Sequence, residues 1–424
     1  MIWLFSFILL IVLLLLAFPV AIVMGNLGII MGLFSPIRLY RALGEISWSA
    51  SSSFTLFCIP LFILMGELLV RCEIADKMYK SVDNLLSWLP GGLMHSNILT
   101  SALFAATSGS SVATAATIGT VALPQAKKYG YNDGLFSASI AAGGTLGILI
   151  PPSINLVIYG SLTNTSIVKL FIAGIVPGVL LALLFMLFIL VISVIHPELS
   201  GHKHSTSWGE KVKGLKDLLP LVVIFAVVIG SIYMGFATPT EAAALGVIIA
   251  LAFAVCYRKL TVKTLKKAIE GTINTTGMIM FIIVAANFLN SVLISLGIGD
   301  KLTSIIDNLG LTPTETLLVI IFIYFIMGFF IETLSMMVLT IPIVYPIITS
   351  IGYDPIWFGI LLILLIQMAL ITPPVGLNLY VVQGVRGKGS IGEICNWVWP
   401  FVIMMFIMIT VLIKFPNLVF LLIK

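Results

Sequence analysis

Glycine, serine, threonine and proline crowd into four short runs that interrupt otherwise apolar sequence. They are Thr107-Ser108-Gly109-Ser110-Ser111, Gly143-Gly144-Thr145 through Pro151-Pro152-Ser153, Ile331-Glu332-Thr333, and Ala369 through Thr372-Pro373-Pro374-Val375-Gly376-Leu377-Asn378. Where a helix breaks inside hydrocarbon, its freed N–H and C=O groups need partners, so such breaks persist only when buried in protein or lining a ligand cavity. Broken helix ends offer N–H groups to an anion and carbonyl oxygens to a cation. The chemistry this suits is joint binding of sodium and a carboxylate. Ser110, Ser111, Asn155, Thr333 and Asn378 are the side chains best placed by sequence to hydrogen-bond the ligand. Glu332 is the one acidic residue well inside a membrane element, and a buried ionisable group there is a functional candidate by default. It can cap the following half-helix, bind or orient near sodium, or carry a proton. A single Gly-Ser stretch in such a helix is usually a packing face and a single proline a kink. Occurrence in pairs, at matching positions in two halves of the chain, favours function.

The elements that hold these breaks follow from composition. Sixty per cent of the 424 residues are hydrophobic and 9 % are charged, with a mean hydropathy of +1.19, so the bilayer is the solvent and a soluble domain has no room. Apolar stretches of about 17 to 25 residues, enough to cross roughly 30 Å of hydrocarbon, recur from end to end. The net charge of +5 comes from loop Lys and Arg residues that report topology, and no nucleic-acid signal accompanies it. Cys58, Cys72, Cys256 and Cys395 stand apart and the four histidines form no ligand cluster, so neither a disulfide framework nor a transition-metal site is expected. No cofactor is expected beyond sodium as a coupling ion. Met1-Ile2-Trp3-Leu4-Phe5 lacks a basic flank and leads into further spans, which predicts a retained first span and no signal peptide.

The two halves repeat. Pro151-Pro152 recurs as Pro373-Pro374, Pro124 as Pro346 and Gly130-Tyr131 as Gly352-Tyr353, each 222 positions on. Each half reads as two spans, a third span, an amphipathic arm, a hairpin entering and leaving on one side, a broken span and a closing span. The first half places these at 2–18, 19–35, 54–70, 73–88, 93–127, 134–161 and 168–195. The second places them at 218–236, 240–257, 274–296, 298–309, 313–349, 356–383 and 392–414. Pro19, opposite Pro239, divides residues 2–35 into two short spans. The arms carry Ile74, Met78, Val82 and Leu85, and Ile298, Leu302, Ile305 and Leu309, at helical spacing, as surface helices do.

Five crossings per half is odd, so the halves are inverted about an axis in the membrane plane. The fold class is therefore all-α and polytopic, with two inverted repeats, two re-entrant hairpins and two broken helices. Sixteen of the 22 Lys and Arg fall in loops near 71–91, 127–133, 197–217, 258–271 and 384–391, all on one face, which the positive-inside rule makes cytoplasmic. Both termini are then periplasmic. Glu67 and Glu241 lie near span ends, where water or headgroups account for them; Asn287 and Gln367 suit hydrogen bonds between helices.

Ala105-Ala106-Thr107-Ser108-Gly109-Ser110-Ser111-Val112-Ala113-Thr114, Gly147-Ile148-Leu149-Ile150-Pro151-Pro152-Ser153 and Thr372-Pro373-Pro374-Val375-Gly376-Leu377-Asn378 resemble signatures of the large membrane subunit of tripartite ATP-independent periplasmic (TRAP) transporters. The resemblance covers essentially the whole chain. It implies a sodium-coupled importer of organic anions in a bacterial inner membrane. Its partners would be a small four-helix membrane subunit, a periplasmic substrate-binding protein and the surrounding lipid. It further implies an elevator mechanism, with residues 93–167 and 313–390 as a transport domain and 1–92, 168–312 and 391–424 supplying scaffold, arms and closing helices. One sodium would lie near Ser108, Ser110, Gly144, Gly147 and Pro151, the other near Gly328, Ala369, Thr372 and Val375. At the second hairpin tip Glu332 is followed by Thr333 where the commoner family pattern resembles an acidic residue and proline. That departure inclines the expectation towards sialic acid over four-carbon dicarboxylates. Two other functions compete: a self-sufficient sodium-coupled carrier without a binding protein, and an intramembrane serine protease with Ser110 as nucleophile and His95 as base.

Overall fold

The computed structural model describes residues 18–34, 39–72, 74–202, 208–298, 301, 304 and 310–423. Residues 2–17 of the expected span 2–18 lie outside them, as does most of the arm 298–309. The described residues contain no strand, and their one isolated β-bridge joins Tyr131 to Ser200. The first half comprises α1 (Val20–Gly32), α2 (Leu43–Ser51), α3 (Cys58–Arg71), the arm α4 (Ile74–Leu86), the hairpin α5 (Gly92–Ser108) and α6 (Ser111–Tyr129), the broken span α7 (Asp133–Thr145) and α8 (Ile154–Thr163), and α9 (Ile167–Ile195). The second comprises α10 (Trp208–Tyr233), α11 (Pro239–Cys256), α12 (Val262–Ser295), the hairpin α13 (Pro313–Met327) and α14 (Thr333–Ser350), the broken span α15 (Pro355–Ala369) and α16 (Leu377–Arg386), and α17 (Ile391–Lys414). Among the described residues, seven helices are long and apolar enough to cross a membrane.

The repeat is visible in how the halves trade partners. Helix α1 packs on α12 and α3 packs on α11; because α1 matches α11 and α3 matches α12, each contact is the image of the other. The same exchange pairs α6 with α16 and α14 with α8, and again α7 with α17 and α15 with α9. Burial follows this arrangement. Every residue of α7 from Gly134 onwards and every residue of α15 from Trp357 onwards is buried, so the first parts of the two broken spans form the centre of the protein. Peripheral helices show large apolar side chains outwards, such as Ile248 on α11 and Phe322 on α13, as lipid contact allows.

Capping fixes most helix starts, because four N–H groups there lack partners within the helix. Asn132, Ser153, Ser166 and Ser390 accept from the first turns of α7, α8, α9 and α17. Two Thr-Pro-Thr-Glu runs give matching capping boxes: Thr238 with Glu241 opens α11, and Thr312 with Glu315 opens α13. Glu241 is thus a cap and not merely a solvated end. Tyr131, in the turn after α6, accepts from the Leu93 N–H at the start of α5 at 3.1 Å; burial pushes its phenol up to about 12, so it stays neutral.

Two boundaries and one helix differ from expectation. Helix α12 begins at Val262 and not near 274, capped by Thr261, since Lys263, Lys266 and Lys267 extend it into water where hydropathy gives no signal. Helix α10 likewise starts at Trp208, ten residues before the apolar run at 218. Helix α2 was not anticipated, being too short and polar for a span. Asn287 bonds the carbonyl of Ile283 in its own helix and so makes no bridge between helices.

Candidate functional site

Each hairpin tip meets a break in a neighbouring span. Helix α5 ends at Ser108, Gly109 takes a left-handed turn (φ 58°), and Ser110 opens α6 by accepting from the Ala113 N–H at 3.3 Å. The Ser108 hydroxyl lies 2.9 Å from that of Thr114, which also donates to the Ser110 carbonyl at 2.7 Å. The break after α7 closes over this tip: a Cβ added to Gly147 would fall 3.2 Å from the Ser110 carbonyl oxygen and the Ser111 nitrogen, so any larger residue would push the two apart. Gly144 is hemmed in the same way by Ala115 and the Asn378 amide. The structure therefore brings Gly147 against Ser110, two residues from Ser108, while Gly144 packs one turn away on Ala115 and Asn378. Pro151 sits in the same break, joined to Pro152 by a cis peptide bond, and Ser153 closes the break by donating to the Ile148 carbonyl.

The second half repeats the geometry with different side chains. A Cβ on Gly328, at the end of α13, would lie 3.2 Å from that of Ala369, at the end of α15. Thr372 donates to the Met368 carbonyl at 2.6 Å, and its own carbonyl accepts from the Gly376 N–H; Val375 lies beyond it, exposed. Glu332 is the N-cap of α14. Its carboxylate accepts from the Leu334 N–H at 3.1 Å, the Ser335 N–H at 3.0 Å, the Ser335 hydroxyl at 2.9 Å and the Thr333 hydroxyl at 3.1 Å. The capping role among the three open to it is thus occupied.

Helix polarity sorts these ends by charge. Carbonyl-bearing ends of α5 and α7 meet in one half and those of α13 and α15 in the other, and such ends carry partial negative charge suited to a hard cation. The N–H ends of α6, α8, α14 and α16 instead converge on one cavity of about 710 Å³, lined by Ser110 to Ala113, Ile154 and Asn155, Glu332 to Ser335, and Leu377. Its opposite wall is built from α1, α3 and α12, including Gly66, Glu67 and Thr275. A cavity of this size suits a small organic ligand. No Lys or Arg lies among the described residues that line it; Glu67 and Glu332 are its ionisable groups.

Of the side chains expected at a ligand, Ser110, Ser111, Asn155 and Thr333 line this cavity. Asn378 does not. It is fully buried, and its amide donates to the Ser111 hydroxyl at 2.8 Å and the Ala141 carbonyl at 3.1 Å, tying α16 of one repeat to α6 and α7 of the other. Gly376, in a left-handed conformation (φ 30°), opens α16, on which Leu377 faces the cavity and Asn378 faces inwards. Sequence reasoning missed Ser335 and Thr114, though each follows its capping partner at helical spacing, and it gave Glu67 no part in the cavity. His95 and Ser110 are not a dyad. The His95 ring bonds the Pro90 carbonyl near the start of α5, about 20 Å of helix from the tip that carries Ser110.

Two hairpins and two broken spans meeting around one cavity, in inverted halves, define a multi-pass membrane protein of transporter type. Residues 7–418 match the family described as "Tripartite ATP-independent periplasmic transporter, DctM component". The C4-dicarboxylate TRAP transporter large permease protein DctM of Pseudomonas aeruginosa is 34 % identical over 390 residues, covering 91 % of this chain and 89 % of that one. The sialic acid TRAP transporter large permease protein SiaM of Vibrio cholerae is 31 % identical over 368 residues, covering 86 % and 85 %. The chain belongs to the large permease family of TRAP transporters. A solved structure, the YdaH transporter of Alcanivorax borkumensis, shares the fold with a TM-score of 0.66 at 13 % identity, over 94 % of this chain and 98 % of that one.

Proposed function

We propose that this chain is the membrane-spanning large subunit of a sodium-coupled importer for an organic acid anion, acting with a small four-helix membrane subunit and a periplasmic binding protein in a bacterial inner membrane. The observation that carries the reading is the sorting of helix ends. Four N–H ends face a shared cavity; that of α14 is already filled by the Glu332 carboxylate, so a substrate carboxylate would find its donors at the ends of α6, α8 and α16 without a fixed cation, while paired carbonyl ends behind them suit sodium. Sodium would be held near Ser108, Ser110, Gly144, Gly147 and Pro151, and near Gly328, Ala369, Thr372 and Val375. Ser110, Ser111, Asn155 and Thr333 would contact the anion, and Asn378 would hold Ser111 in place. A cavity without Lys or Arg gives the anion no counter-charge of its own, so binding would depend on the coupling ions.

The elevator reading places the two hairpins and two broken spans, residues 93–167 and 313–390, in a moving body that slides against α1, α3, α11 and α12. Two sodium ions with a monoanion carry one net positive charge inwards, which is favoured by about 2.3 kcal/mol per 100 mV. The test is uptake of labelled sialic acid, and then of four-carbon dicarboxylates, into proteoliposomes containing this chain and its small subunit. Binding protein is supplied outside, under an inward sodium gradient. Uptake is expected to need both sodium and the binding protein. Uptake that persists without the binding protein would replace this reading with a self-sufficient carrier.

A further inference from the structure

Glu67 on α3 faces Glu332 across the cavity, but the two carboxylates are held differently. Glu332 is consumed by the cap of α14. Glu67 accepts from the Arg71 guanidinium at 2.7 Å, one turn further along α3. It also lies flat on the backbone of α12, because a Cβ on Gly271 would fall 2.8 to 3.0 Å from its carboxylate atoms. Glycine at 271 is what lets the carboxylate fit between Arg71 and the neighbouring helix. Beyond Glu67 the cavity wall runs through Val70 to the end of α3, and along α12 from Ile282 back to Thr275, towards Lys263, Lys266 and Lys267. The cavity therefore reaches towards the basic face, which the positive-inside rule makes cytoplasmic. An anion leaving that way passes Glu67 and then meets Arg71.

We propose that Glu67 and Arg71 form an exit gate in which Glu67 neutralises Arg71, so that the guanidinium does not capture the departing carboxylate; this rests on the anion-import reading above. An unpaired arginine grips a carboxylate with two parallel hydrogen bonds. Placed on a release path, such a grip would retain the substrate. With Arg71 already paired, the basic face attracts the anion without offering it a resting place. An ordinary exposed ion pair four residues apart on a helix contributes little, and loss of either partner is then nearly neutral. The gate differs by being asymmetric: loss of Glu67 harms and loss of Arg71 does not.

The test uses the proteoliposomes described above, comparing wild type, Glu67→Gln, Arg71→Gln and the double variant. Net uptake is measured together with its inhibition by unlabelled anion loaded in the lumen. Glu67→Gln is expected to need about tenfold less lumenal anion for half-inhibition, the effect of one added charge-assisted hydrogen bond, and to slow net uptake. Arg71→Gln alone and the double variant are expected to resemble wild type, a rescue that a purely structural role for Glu67 would not give. Wild-type behaviour of Glu67→Gln, or a double variant as impaired as Glu67→Gln, overturns the gate alone. Absence of any anion uptake by wild type overturns the import reading and the gate with it.

Discussion

Gly66→Ala tests whether the contact between α3 and the first hairpin tip governs movement between them. A Cβ at Gly66 would lie 2.9 Å from Ser108 Cα, 3.1 Å from its carbonyl oxygen and 3.4 Å from its carbonyl carbon. Carbon atoms rest at about 3.5 to 4.0 Å, so the helix and the tip must part by roughly 0.6 to 1 Å. Both sides are backbone, and no side-chain rotation can relieve the clash. Overpacking of this kind costs about 1 to 3 kcal/mol. If the tip leaves α3 during transport, that cost falls on this docked arrangement alone and shifts the balance between states about 5- to 150-fold. The assay pairs sodium-driven uptake with a distance between spin labels on α3 and α6, attached through Val70→Cys and Val112→Cys in a background without the native cysteines. The expected result is a smaller docked fraction and altered uptake. Gly25→Ala serves as the control, because nothing lies within 4 Å of its added Cβ. Unchanged distances and unchanged uptake in Gly66→Ala would refute the reasoning.

Three further outcomes follow from the geometry. Asn378→Ala removes the bonds to Ser111 and Ala141 from a fully buried site and should lower stability by about 2 to 4 kcal/mol, seen as a lower thermal midpoint in detergent; an unchanged midpoint would mean that α16 is held by packing alone. Glu332→Gln keeps one amide oxygen to accept from the first turn of α14, whereas Glu332→Ala loses a cap worth about 0.5 to 2 kcal/mol, so Gln should retain more uptake; equal loss from both would point to the charge itself. Asp133→Asn breaks the 2.7 Å pair with Lys388 on the surface and should cost less than about 1 kcal/mol, shrinking as salt rises; a larger loss would show that Asp133, Arg386, Lys388 and Glu393 act as one network.

The breaks were legible in the sequence because hydrocarbon tolerates them so poorly: Ser108 to Ser111 and Pro151-Pro152 could hardly sit in intact, lipid-facing helices. The repeat offsets then told which breaks correspond. The polar starts of α10 and α12 were not legible, since a helix leaving the membrane loses its apolar signature before it loses its hydrogen bonds. Side-chain direction was harder still. Asn378 looked as available as Asn155, and the direction a side chain takes at the start of a half-helix depends on the backbone path through the break, which the neighbouring residue types do not mark. Glu67 looked like a solvated span end because position along a helix does not reveal how far a cavity reaches. The two Thr-Pro-Thr-Glu runs were present to be read and correspond to caps that the structure forms as their spacing dictates.

The exchange of partners between the halves bears on how the chain is made. While the first half is being synthesised, α1 and α3 enter the bilayer without α12 and α11, the helices that will cover them, and α7 waits for α17. The small and polar residues of α7, such as Ser137, Ser139 and Gly143, must meanwhile be tolerated by lipid or by the insertion machinery. Neither half can acquire a finished interior early. A chain severed between α9 and α10 would therefore yield two insertable pieces that complete their core only by finding each other, and the single polypeptide link keeps them together.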